Sequence, residues 1–115
     1  MVAKIVLILT ILLSLVVTVD SEKQFHLFSY KDRLGHLISY GRPDNDRNCY
    51  NIEDRFAKKA RSIRNEGFCV TLYSLGDCKG EQVRFQPYCS GPDCCYERDF
   101  DHCKFRNKAS SFKFC

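Results

Sequence analysis

Beyond residue 19 the chain has no apolar run long enough to cross a bilayer as a helix. It also lacks blocks of like charge. Its 18 Lys and Arg and 14 Asp and Glu are interspersed, and a net charge of +4 gives no ground for a nucleic-acid or membrane partner. Catalytic groupings are missing too. His26, His36 and His102 are scattered, and the acidic pairs Glu53-Asp54 and Asp99/Asp101 lie in polar, loop-like stretches where carboxylates are ordinarily solvated. The chain therefore reads as a non-enzyme. No Asn-x-Ser/Thr acceptor occurs, so N-glycosylation is not expected.

What is present begins with a leader. Lys4 gives a short positive start, and Ile5 to Val19 is apolar apart from Thr10, Ser14 and Thr18. That length suits a secretory signal peptide over residues 1–21 better than a retained anchor, with cleavage after Ser21, or alternatively after Thr18. Residues 22–115 then form a single secreted, extracellular domain with no transmembrane anchor after processing.

All eight cysteines fall in this mature part: Cys49, Cys69, Cys78, Cys89, Cys94, Cys95, Cys103 and Cys115. An even count behind a leader reads as a disulfide framework, because the secretory route is oxidising. Cys49 stands alone in the first half, so full pairing requires it to reach into the second. Adjacent Cys94 and Cys95 are not expected to bond to each other, and the remaining connectivity stays open. A zinc site at Cys-x4-Cys-Cys with His102-Cys103 is the competing reading, disfavoured by irregular spacing.

The chain says nearly the same thing twice. Phe56-Ala-Lys-Lys-Ala-Arg-Ser-Ile-Arg64 aligns without gaps on Phe105-Arg-Asn-Lys-Ala-Ser-Ser-Phe-Lys113. Upstream, Phe25-His-Leu-Phe-Ser29 and Gly35 match Val70-Thr-Leu-Tyr-Ser74 and Gly80 at a constant offset of 45 residues. Self-similarity of this kind marks one supersecondary unit used twice. Apolar residues recur with period two at Phe25 and Leu27, Val70 and Leu72, Val83 and Phe85, and Phe112 and Phe114, which predicts half-buried strands. A helix over Lys58 to Arg64 is disfavoured by its shortness and by β-branched Ile63 beside a Gly turn. The expected fold is all-β: a disulfide-stabilised Greek-key β-sandwich of two four-stranded motifs, about residues 24–66 and 68–115.

Val70-Thr-Leu-Tyr-Ser-Leu-Gly-Asp-Cys-Lys-Gly80, followed later by Asn107-Lys-Ala-Ser-Ser-Phe112, resembles a βγ-crystallin Greek-key motif. In that family an aromatic opens a hairpin, a second aromatic follows, then a Gly, and a Ser in the fourth strand closes over the hairpin. Tyr73, Gly80 and Ser111 fill these places in copy two, with Cys78 at the second aromatic position. Phe28, Gly35 and Ser62 fill them in copy one, with Arg33 at that position. The Gly answers a need for φ > 0, the Ser hydroxyl satisfies backbone groups, and the aromatic offers a packing plate.

The resemblance implies calcium at two Asn/Asp residues, two variable positions, Ser/Thr and Ser. Copy two retains Asn107, Ser110 and Ser111, with Arg106 at the first place; copy one retains only Ser62 among Lys58, Lys59 and Arg61. At most a weak calcium site around Asn107 and Ser110 is therefore expected, and none in copy one. Otherwise no cofactor is indicated. A structural or protective extracellular role leads. The alternative is a binding effector, meaning an antimicrobial or killer toxin or a protease inhibitor. An extracellular protein or cell-surface target would meet the loops Pro43 to Arg47 or, preferably, Gln86 to Asp101, where Pro87-Tyr88, Pro92 and Tyr96 stand among cysteines. Lys58-Lys-Ala-Arg61 also resembles a weak processing site, disfavoured because cleavage would destroy the fourth strand of copy one.

Overall fold

The computed structural model describes residues 22–89, 91–95 and 99–115; the expected leader and Tyr96 lie outside the described residues. Copy one contributes β1 (Glu22–Tyr30), β2 (Leu34–Pro43), β3 (Tyr50–Asn51) and β4 (Ser62–Arg64). Copy two contributes β5 (Val70–Leu75), β6 (Lys79–Phe85), β7 (Cys94–Cys95) and β8 (Ser111–Phe114). The period-two reading holds: Phe25, Leu27, Val70, Leu72, Val83, Phe85, Phe112 and Phe114 are all buried. Over Lys58 to Arg64 no helix forms. Lys58 has φ 62, and β4 starts at Ser62.

The strands form two sheets, in order β2-β1-β4 and β3-β8-β5-β6-β7. In the first, Leu27 stands opposite Ile38 on β2 and Ile63 on β4; in the second, Leu72 stands opposite Val83 on β6 and Phe112 on β8. The inward rows meet between the sheets, where Phe25 packs edge-on against Phe112 at 4.9 Å between ring centroids. Each buried Phe or Leu of this core contributes about 1.5–3 kcal/mol over its exposed state.

The motifs are not two separate four-stranded sheets. Strand β3 leaves copy one and pairs with β8 of copy two, Tyr50 opposite Phe112 and Asn51 opposite Ser111. Reciprocally, Asp99 of copy two bridges Ser62 on β4. The exchange covers edges of β4 and β8 that would otherwise present unpaired backbone groups. Where the loops before β4 and β8 cross, Lys58 N–H donates to Ala109 O at 2.8 Å and Asn107 N–H to Ala60 O at 3.0 Å. Ala60 and Ala109 are fully buried at this crossing, which explains small residues at matching positions.

Four disulfides close the molecule: Cys49–Cys78, Cys69–Cys115, Cys89–Cys94 and Cys95–Cys103. Cys49 thus joins the chain ahead of β3 to the hairpin of copy two. No cysteine is free, so no thiolate remains for zinc. The last two bridges hold β7, which runs parallel to β6 with Arg84 opposite Cys94.

Candidate functional site

The two hairpins are built alike. Between β1 and β2, Asp32 and Arg33 take left-handed φ values of 57 and 59, followed by Gly35 at 85. Between β5 and β6, Asp77, Cys78 and Gly80 repeat them at 58, 56 and 83. Consecutive left-handed residues with side chains are unfavourable by about 1–2 kcal/mol each, so surrounding bonds must hold the turn.

Those bonds come from the fourth strands. Ser62 Oγ accepts from Arg33 N at 3.0 Å and donates to Tyr30 O at 2.6 Å. Ser111 Oγ accepts from Cys78 N at 2.9 Å and donates to Leu75 O at 2.6 Å. Both serines are fully buried. A second serine in each copy caps the outgoing strand: His36 N donates to Ser29 Oγ and Glu81 N to Ser74 Oγ, both at 2.8 Å. The exchanged segments add a third clamp. Asp99 Oδ1 accepts from Asp32 N at 2.9 Å, and Asn51 Oδ1 accepts from Asp77 N at 2.8 Å.

Sequence reasoning missed the last two layers. Ser29 and Ser74 lay in plain view within the upstream echo, whereas Asn51 and Asp99 carry no shared identity that would have paired them. Other residues lie nearest the two hairpin glycines. A β-carbon on Gly35 would run into Ser29 Oγ and the Tyr30 ring, and one on Gly80 into Ser74 Oγ and Leu75. Tyr30 and Leu75 therefore lie against the glycines. Phe28 and Tyr73 stand two residues earlier, half-buried, and their carbonyls accept from Arg61 N and Ser110 N at 2.8 Å.

The calcium-like stretch of copy two borders a cleft of about 380 Å³ lined by Lys58, Ser74, Leu75, Gly80, Glu81, Asn107 and Lys108. Its one carboxylate, Glu81, is engaged by Lys108 Nζ at 2.9 Å. Nearby carbonyls are spoken for as well: Ala109 O takes Lys58 N, and Ser110 O takes Ile52 N at 2.9 Å. Ser110 Oγ is buried without a hydrogen-bond partner. Calcium needs six to eight oxygens, and one ammonium 6–8 Å from it costs on the order of 4–6 kcal/mol at a surface-like dielectric. The donor set does not fit the ion. Copy one fits it less, with Arg61 at the Ser110 position and its buried Nε unpartnered. Among the described residues no three His, Cys, Asp or Glu side chains gather as a metal site.

The two candidate binding loops differ in character. Over Pro43 to Arg47, Asp46 accepts from the Tyr50 hydroxyl and from Asn48 N at 2.8 Å. The Tyr50 bond first, then the Asn48 N–H, hold its carboxyl below the usual carboxylate range. Lys23, only 6% exposed, donates to Asp46 O at 2.9 Å and lies 4.9 Å from the Phe114 ring centroid. That loop is tied to the core. In the other loop Tyr88 is 99% exposed, beside the short ring closed by Cys89–Cys94.

No family model matches the sequence, and no curated protein matches it. Among solved structures, a βγ-crystallin from an archaeon aligns over 81% of this chain and 98% of its own, at a TM-score of 0.59 and 16% identity. Identity so low speaks for fold alone. With strand β3 exchanged into the second sheet and its hairpins held by serines, this chain has a βγ-crystallin-like fold.

Proposed function

We propose that this protein is a secreted, non-catalytic βγ-crystallin-like module with a structural or protective extracellular role, stabilised by disulfides instead of calcium. The observation that carries this reading is the Lys108–Glu81 pair, which places an ammonium in the cleft where the family's calcium stretch lies. Full pairing of the cysteines supports an oxidising destination, as does the apolar leader over residues 1–21. Expression with the leader intact, followed by mass spectrometry of the medium, tests secretion: a product starting near Glu22 is expected. A product starting at Ser62 would contradict a two-motif domain, because Arg61 and Ser62 anchor copy one through Phe28 O and Tyr30 O.

Tyr88 favours a second reading, a binding effector acting through the Gln86 to Asp101 loop. Growth-inhibition and protease-inhibition assays on the purified protein separate the two. Activity abolished by Tyr88→Ala would establish the effector reading, and inactivity in both assays leaves the structural one.

A further inference from the structure

In copy two the Glu81 carboxylate lies 2.9 Å from the Lys108 ammonium. The backbone around both groups repeats in copy one. His36 N donates to Ser29 Oγ as Glu81 N does to Ser74 Oγ, and the crossing loops exchange the Lys58–Ala109 and Asn107–Ala60 hydrogen bonds. These bonds set His36 in the place of Glu81 and Lys59 in the place of Lys108. Copy one has kept the lysine and lost the acid. A cleft of about 370 Å³ opens there, lined by Ser29, His36, Leu37, Arg55, Phe56 and Lys59, with no acidic side chain among them. Lys59 Nζ rests on a neutral partner, the Arg55 carbonyl oxygen, at 3.0 Å. Arg55 holds Glu53 at 2.8 Å, but both side chains are largely in solvent, where such a pair is readily exchanged.

We infer that this cleft binds a carboxylate from outside, presented by a glutamate side chain of an acidic peptide segment. The protein supplies the precedent, since the matching position of copy two is filled by a glutamate of its own. An incoming carboxylate meets the Lys59 ammonium in a charge-assisted hydrogen bond, with the Arg55 guanidinium beside it. Leu37 and Phe56 offer apolar wall to the methylenes of the side chain. A sugar acid would set hydroxyls against those walls without partners, and a bare inorganic anion would leave them unused. The charges are near the surface, so binding weakens as salt rises.

The test is amide-resolved NMR titration of the disulfide-intact protein at low salt with hexaglutamate, hexaglutamine, glucuronate and inorganic phosphate. Hexaglutamate is expected to shift Ser29, His36 and Lys59 saturably, with the other three weaker by about tenfold or more. His36→Glu installs the acid of copy two and should weaken hexaglutamate by about tenfold or more, and Lys59→Gln should do the same if that variant folds poorly. Glu81→Gln releases Lys108 and should add a second set of shifts around Ser74 and Lys108. Absence of saturable hexaglutamate shifts overturns the proposal, as does unchanged affinity in folded His36→Glu. Equal binding of glucuronate or phosphate would make this a small-anion site and overturn the peptide assignment.

Discussion

Ser62 and Ser111 each do two jobs with one buried hydroxyl, which serves a turn N–H and a strand carbonyl together. Replacing either by Ala strands both backbone groups, and each unsatisfied group costs about 1–3 kcal/mol. Ser62→Ala and Ser111→Ala should therefore each lower unfolding free energy by about 2–6 kcal/mol, read from urea denaturation of the purified protein. Asp46 gives a different signal. Its folded-state value lies below its unfolded one near 3.8, so its contribution is present above that value and fades as pH falls through the folded value. Asp46→Asn should flatten the fall of the urea midpoint as pH drops below 3.8, where the native chain loses this contribution. Both serines were legible in the repeat because identity survived at both places. Asn51 and Asp99 were not, because a carboxylate and an amide do the same work with a different letter.

The third strands are short, and what holds them is their attachment. Strand β3 has two residues and β7 two, too few to persist without partners. The β3 segment is secured by β8 and by Cys49–Cys78, while β7 is secured on either side by Cys89–Cys94 and Cys95–Cys103. The bridges differ in the chain they close: 46 residues for Cys69–Cys115 and 5 for Cys89–Cys94. On a chain-entropy basis, removing the first by paired Cys→Ser changes should cost about 4 kcal/mol and the second about 2 kcal/mol. Chemical denaturation of the two variants under oxidising conditions checks that order, and a larger loss from the short bridge would point to β7 as a central support. The repeat made strand pairs and hairpins readable, since period-two burial leaves a mark on neighbouring residues. Exchange of β3 into the other sheet left none, because pairing across motifs depends on residues distant in sequence.

At the scale of the whole molecule, stability should be indifferent to calcium. The cleft beside Asn107 holds two ammonium side chains against one carboxylate already engaged, so melting in millimolar calcium and in a chelator should coincide within about 1 °C. A rise of several degrees with calcium would show that Ser110 and Asn107 recruit the ion after all. The two copies have diverged in chemistry while keeping the same backbone: Glu81 faces Lys108 in one, and His36 stands near Lys59 in the other. The sequence alone determined the all-β class, the double motif, the glycines at positive φ and the even set of cysteines. These are local or periodic properties, written by each residue's own conformational preference and by alternation along a strand. Tertiary structure alone decided which cysteines join, that β3 changes sheets, that Tyr30 and Leu75 lie on the glycines, and that an ammonium meets the one acid of the cleft. Cys69 and Cys115, β3 and β8, and Glu81 and Lys108 are far apart in the chain, so only folding sets the distance between them.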